Sequence, residues 1–343
     1  LKKIFVIFLF GGLFLLSQCS QKHEGVSIPI KPLEKLSDYN FFEGDLSALE
    51  PAAGVLPYDL NTPLFSDYSH KARFIWMPEG TSAQYTEDHV LDFPTGTILI
   101  KNFYYNHDET DLSKGKRIME TRLLINRGEE WDAYGYIWND DQTDALYDII
   151  GDIKEVAWIN EEGAQQKVDY IIPNKNQCKT CHAYKNVQKP IGPKVRNLNK
   201  EYAYTDGSMN QLEKWASIGY LQGLNNVSDR PAVAVWDEVA DHSLHDRALA
   251  YLDINCGHCH NPDGAANTSG LTLLADSELG TQLGLYKPTV SAGAGTGGHT
   301  YSIVPGNPQE SIMIYRMKSD NPGAMMPEVG RRLGRLDHSD GSR

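Results

Sequence analysis

Between residues 58 and 172 the chain sets apolar side chains at alternate positions in short runs, the period of a β-strand. The run Thr97-Ile98-Leu99-Ile100-Lys101-Asn102-Phe103-Tyr104-Tyr105 is dense in β-branched and aromatic residues and predicts a strand. His89-Val90-Leu91-Asp92-Phe93 predicts another, closed by the Pro94-Thr95-Gly96 turn. Glu120-Thr121-Arg122-Leu123-Leu124-Ile125-Asn126 predicts a neighbouring strand, and from Trp131 to Trp138 aromatic residues alternate with small or polar ones. Gly163 marks a hairpin turn ahead of Lys167-Val168-Asp169-Tyr170-Ile171-Ile172. Strands at this spacing, with Gly, Asn and Asp between them, imply a sandwich or a barrel-like sheet.

After Pro173 the pattern changes to helical pieces and loops. Residues 211–219 predict a short helix closed by Gly219, and 308–317 another with Pro308 in its first turn. The best helical spacing lies between Ser243 and Asp253, where Leu244, Ala248, Leu249 and Leu252 share one face. Ser243 and Asp246 resemble a capping box at its start, with Asp in the place of the usual Glu. The expected fold class is a multidomain α+β chain: an N-terminal β-rich domain followed by mainly α-helical domains. The expected divisions are a leader over 1–19, a tether over 20–50, the β-rich domain over 51–175, a first mainly helical region over 176–238 and a second mainly helical domain over 239–343.

The leader reading rests on Lys2 and Lys3, an apolar run from Ile4 to Leu16, and Leu16-Ser17-Gln18-Cys19, which resembles a lipobox. The run is short of the ~20 apolar residues of a membrane span. Export with a lipid on Cys19 is therefore expected, an uncleaved anchor helix being the alternative. With 41% hydrophobic and 22% charged residues the chain can bury ordinary cores. A formal net charge of −13 argues against nucleic acid as a partner and favours a partner protein with a basic face.

Five cysteines remain to be accounted for. Cys19 is the lipid site. The other four form Cys178-Lys179-Thr180-Cys181-His182 and Cys256-Gly257-His258-Cys259-His260. Two residues between the thiols allow both sulfurs to reach one porphyrin edge as thioethers, and the adjacent histidine then faces the iron. Cysteines 178, 181, 256 and 259 with His182 and His260 are thus the expected attachment and proximal-ligand residues of two covalently bound haems. Zinc fits less well, because the Cys pairs lie far apart and each carries its own histidine. A thioredoxin-like pair would need a βαβ context that the pattern lacks.

For the sixth ligand of the second haem the candidate is Met326, before Pro327 in a Gly- and Pro-rich loop. The alternative is that Met325 or Met326 only packs on the haem edge. For the first haem, Met209 is a weaker candidate beside His70, His89, His107 or an open position.

The chain resembles bacterial two-haem c-type cytochromes that carry an N-terminal β domain. The resemblance rests on Thr62-Pro63-Leu64-Phe65-Ser66-Asp67-Tyr68, Phe93-Pro94-Thr95-Gly96-Thr97, Glu120-Thr121-Arg122-Leu123-Leu124, Pro173-Asn174-Lys175-Asn176-Gln177-Cys178, Pro190-Ile191-Gly192-Pro193-Lys194 and Tyr251-Leu252-Asp253-Ile254-Asn255-Cys256, and it makes 176–238 and 239–343 mainly α-helical cytochrome c-type haem domains. It implies electron transfer in the periplasm or at the cell envelope, with periplasmic or membrane redox proteins as partners and no particular substrate. The second region is also similar to class I cytochrome c, through Pro305-Gly306-Asn307-Pro308 and Met326-Pro327. Such domains finish on an apolar helix, whereas the residues after Gly330 do not spell one, which reads as a truncated C-terminus. A weaker similarity, through Phe93-Pro94-Thr95-Gly96-Thr97-Ile98-Leu99-Ile100-Lys101, is to the β-type cytochromes c′ and related enzymes with a lysine linked to haem. It implies an enzyme with an open first haem, and makes Lys101 a conceivable counterpart. By its own surroundings Lys101 reads as a solvated strand residue.

Overall fold

The computed structural model describes residues 26, 28–87, 89–224, 230–290 and 293–333. Its centre is an open, six-stranded antiparallel sheet in simple chain order: β1 (Val55–Tyr58), β2 (His70–Trp76), β3 (Ile98–Asn106), β4 (Lys116–Asn126), β5 (Trp131–Trp138) and β6 (Ala145–Asp148). A separate hairpin, β7 (Asp152–Ile159) with β8 (Gln165–Ile172), follows through a turn that contains Gly163 at φ 77°. The segment expected as a strand at 89–93 is not one. Its backbone bonds run instead to distant loops, Leu91 N–H to Pro193 O at 3.1 Å and Asp92 N–H to Gln84 O at 3.1 Å.

The two faces of the sheet are covered differently. Even-numbered side chains of β3, Ile98 and Ile100, enter one core with Phe74, Leu123, Tyr136 and Trp138, which the N-terminal residues Leu36, Tyr39 and Phe41 close. The odd-numbered side chains point the other way, as the two-residue period requires. Leu99 joins a cluster with Ile75, Val195, Leu198, Leu212 and Trp215, contributed partly by α2 (Val195–Leu198) and α3 (Gln211–Ser217). Phe103 joins a second cluster with Tyr105, Trp158, Val168 and Tyr170 of the hairpin. Lys101 lies between them. At ~25 cal/mol per Å² of apolar surface, these clusters supply the main drive for folding.

The expected mainly α-helical cytochrome c-type part is overturned. Strand accounts for 30% and helix for 20% of the described residues, and no mainly α-helical cytochrome c domain is evident among them. Among the described residues the longest helices are α4 (Leu244–Leu252), nine residues, and α1 (Lys175–His182), eight; α3 and α5 (Ile312–Lys318) have seven each. The reason lies in the connecting chain. Pro262, Pro288, Pro305 and Pro308 cannot donate a helical hydrogen bond, and the segment is held by turns such as Gly264 N–H to Asn261 O at 3.1 Å. The second motif has a small apolar cluster of its own, Leu249, Leu273 and Leu283, with Cys256 and Met313 at its edge.

Candidate functional site

The first motif is the last part of α1. Asn174 caps the helix: its Oδ1 accepts from Gln177 N–H at 3.0 Å, while Gln177 Oε1 accepts from Asn174 N–H at 2.9 Å. Cys178 and Cys181, three residues apart, therefore share one helix face, and His182 ends the helix. The His182 Nδ1 lies 2.7 Å from Lys189 O. A carbonyl can only accept, so the neutral ring carries its proton on Nδ1 and leaves Nε2 bare. Burial brings the His182 pKa down to about 4, which keeps that ring neutral. Replacing Asn174 with Ala should lower stability by about 1 kcal/mol, read from the midpoint of a urea titration. An unchanged midpoint would mean that the cap does not hold α1.

The second motif follows α4. Ser243 caps that helix through Asp246 N–H at 3.1 Å, and a π turn over Asp253–Gly257 then delivers Cys256. Gly257 is required by close approach: a Cβ there would meet Leu273 O at 2.5 Å. The His260 Nδ1 lies 2.9 Å from Ser269 Oγ. That hydroxyl donates its own proton to Ala266 O at 2.7 Å, so it accepts from His260 and again leaves Nε2 bare. Burial, with the Arg316 charge second, lowers the His260 pKa.

The fold brings the two motifs together. Cys259 Sγ lies 3.7 Å from Thr180 O, inside the first motif. Tyr184 OH donates to Asp263 Oδ2 at 2.9 Å, and Lys185 N–H to Asp263 O at 2.9 Å. Lys194 pairs with both oxygens of buried Asp253, each at 3.0 Å, just ahead of Cys256. Phe65 N–H, from the β domain, donates to Asn255 Oδ1 at 2.7 Å.

Two cavities open at this junction, of about 460 and 140 Å³, and both are lined by Cys181, His182, Pro190, Ile191 and His258. The smaller one lies between α1 and the sheet, with Cys178 on one wall and Arg73, Lys101, Phe103 and Arg122 on the other. His258 went unnoticed in the sequence because it fills a spacer position of the motif. Its Nδ1 lies 3.1 Å from Ile254 O, and burial brings its pKa down to about 4. All four motif thiols are free. Burial raises each of them, Cys256 and Cys259 up to about 12. Neutral sulfur is favoured there, which disfavours a reactive dithiol.

The other predicted residues are scattered around this centre. His89 is exposed but lines the larger cavity with His182. His70 is 2.6 Å from Glu109 and His107 is exposed; neither lines either cavity. Met209 is 39% exposed on a hairpin strand and is likewise outside both. Met325 is buried, and Met326 N–H donates to Arg316 O at 3.0 Å, on the helix whose Arg316 charge acts on His260. The residues just beyond it, Pro327, Val329 and Gly330, line the smaller cavity with the first motif. Lys101 is not a solvated strand residue: it faces that cavity, and the surrounding protein desolvates its amine. Cys19, the leader and the end of the chain after Leu333 lie outside the described residues.

Among the described residues no group of three or more His, Cys, Asp or Glu side chains is placed to hold a metal ion, and no helix is long and apolar enough to cross a membrane. Compared with protein-family models, curated proteins and solved structures, the chain matches none.

Proposed function

We propose that this chain is a di-haem c-type cytochrome that carries electrons at the bacterial cell envelope. One observation carries the reading: two Cys-x-x-Cys-His motifs meet at Thr180 and Cys259, each with its histidine held by Nδ1 and its Nε2 bare. The donor set suits the cofactor, because thioether sulfur is neutral and tolerates the burial that the thiolate does not. Cys178, Cys181 and His182 would hold one haem c, and Cys256, Cys259 and His260 the other. When bound, each iron supplies a one-electron couple whose potential its axial ligands and surroundings set.

The protein's own contribution is positional. Lys189 O and Ser269 Oγ fix the tautomer and ring orientation of the two histidines. The Tyr184–Asp263 and Lys194–Asp253 bonds hold the motifs at one separation. Pro190–Pro193 and the segment after Met326 close over the first motif and reduce its access to water. The chain is proposed to be exported to the periplasmic side, held through a lipid on Cys19 as an outer-membrane lipoprotein, and to pass electrons to a periplasmic or membrane redox partner. Its net charge of −13 favours a partner with a basic face and an association that weakens with salt.

The test is the pyridine haemochrome spectrum of protein produced in a host that attaches haem c. Two c-type haems per chain are expected; none would end the reading. A second reading, a haem enzyme of the peroxidase or β-type cytochrome c′ kind, is favoured by the cavity between His182 and Lys101. Carbon monoxide binding to the reduced protein separates the two: no uptake supports the carrier, uptake at one haem the enzyme. Within the carrier reading, Ser269→Ala removes the acceptor that makes His260 a stronger donor. The midpoint potential of one haem should rise, by up to about 60 mV, one decade for a one-electron couple. A spectroelectrochemical titration checks it, and an unchanged pair of potentials would contradict this role for Ser269.

A further inference from the structure

The polar wall of the smaller cavity has a pattern of its own. Arg73, Lys101 and Arg122 are direct cross-strand partners on β2, β3 and β4, so three basic side chains stand in one row across the sheet. Like charges placed directly opposite one another destabilise a sheet. The next position in the row, on β5, is Gly135, which adds no side chain. An acidic chain has thus concentrated positive charge at one enclosed place.

The carboxylates around the row do not saturate it. Arg122 is paired with Glu120, Nη2 to Oε1 at 2.5 Å. Arg73 donates through Nη1 to Asp59 at 2.7 Å, but its Nη2 is buried and has no hydrogen-bond partner among the described residues. The Arg73 side chain is only 4% exposed. Among the described residues Lys101 has no ion-pair partner; its amine stands over the Phe103 ring at 4.6 Å, with the Arg122 guanidinium over the same ring at 4.2 Å. A buried, unpartnered guanidinium donor is costly to leave without a hydrogen bond. Arg73 and Lys101 line the same cavity as Cys178, Cys181 and His182.

We propose that Arg73 Nη2 and Lys101 Nζ, with Arg122 beside them, form a binding site for a carboxylate or similarly small oxyanion in this cavity. The site offers one planar donor and one amine; burial and then the Arg73, Arg122 and Lys71 charges hold the Lys101 pKa well below its ordinary value, and an entering anion would favour its protonated form, so that donor and amine together match two oxygens. The anion has two possible sources, a free small carboxylate or the propionate of a haem at the first motif. Only the second source rests on the di-haem reading.

The experiment uses the full chain as produced, with its haem count measured first. Formate binding is followed by calorimetry and by the rise in Tm, in the wild type and in Lys101→Met and Arg73→Gln. If the anion is free, formate should bind the wild type, and each variant should weaken it about tenfold or more, as expected for loss of a charge-assisted hydrogen bond. If the anion is a propionate, formate should not bind, and each variant should keep both haems yet lower Tm and shift the potential of one of them. Protein without haem still reports through the formate arm, so failure of the di-haem reading is seen separately in the haem count. No formate binding, with Lys101→Met at least as stable as the wild type and its potentials unchanged, overturns the proposal: removing one of three opposed basic side chains would then only relieve repulsion. Arg73→Gln, which keeps a neutral hydrogen-bond donor at that position, gives the same reading should Lys101→Met fail to fold.

Discussion

Changing both thiols of one motif to serine should halve the haem content, but the two motifs should differ in what else is lost. In the Cys256→Ser/Cys259→Ser chain, one haem should remain and the sheet should keep its cooperative unfolding. The second motif packs on its own small cluster of Leu249, Leu273 and Leu283, outside the three larger cores of the sheet. In the Cys178→Ser/Cys181→Ser chain the remaining haem should be accompanied by a larger fall in Tm. The first motif follows directly on β8 and lies over a cavity whose far wall is the sheet itself, with Leu99, Phe103 and Leu124. A covalently held group there contacts the main core, and its loss acts as a cavity does, at ~24 cal/mol per Å³ left unfilled. Intact mass gives the haem count and thermal scans followed by far-ultraviolet circular dichroism give Tm. Equal Tm losses in the two variants would contradict the asymmetry, and unchanged haem counts would contradict the assignment of the motifs.

How far the sequence revealed this arrangement depended on whether the decisive contacts were local. The strand Trp131–Trp138 has the ends that its alternation predicted, and β3 is displaced by one residue from its apolar run. Ser243 caps its helix as the Ser243–Asp246 spacing implied. These features are decided within a few residues. The segment 89–93 has the composition of a strand but bonds to Pro193 and Gln84, partners that no local pattern names. The helical domain failed for a related reason. Motif resemblance overrode the prolines between Pro262 and Pro308, whose local meaning was to break helices. At the site, the thiols and terminal histidines stood out in the sequence because the motif is local, five residues long. The basic row did not: Arg73, Lys101 and Arg122 each read as one charge in an apolar strand, and only the register of three strands makes them neighbours. The one available signal was that a charge interrupts each run at its middle. Nothing in the spacing of Cys256-Gly257-His258-Cys259-His260 distinguishes His258, whose side chain lines cavities shared with the other motif.

Glu120→Ala should be among the most damaging single substitutions in the chain, lowering stability by about 3–5 kcal/mol. Glu120 is 1% exposed and holds Arg122 with both oxygens, at 2.5 Å to Nη2 and 2.7 Å to Nε. The same Oε1 accepts from Tyr170 OH at 2.7 Å, which joins the β7–β8 hairpin to the sheet. Burial and then the Glu120 charge push the Tyr170 hydroxyl well above its ordinary range, so it remains a donor at every pH at which the protein is handled. Removing the carboxylate leaves the Arg122 guanidinium uncompensated beside Lys101 and Arg73, and strips Tyr170 of its partner. Tyr170→Phe removes only the neutral donor and should cost about 1 kcal/mol. The difference between the two variants therefore measures the charge and not the hairpin contact. Urea titrations of both variants give the comparison. If Glu120→Ala costs no more than Tyr170→Phe, Arg122 finds another counter-charge, and the row is less isolated than its geometry implies. If the larger loss is seen and is partly recovered by adding formate, the same row accepts an external anion in place of the missing carboxylate, which ties the stability of the sheet to the ligand of the cavity.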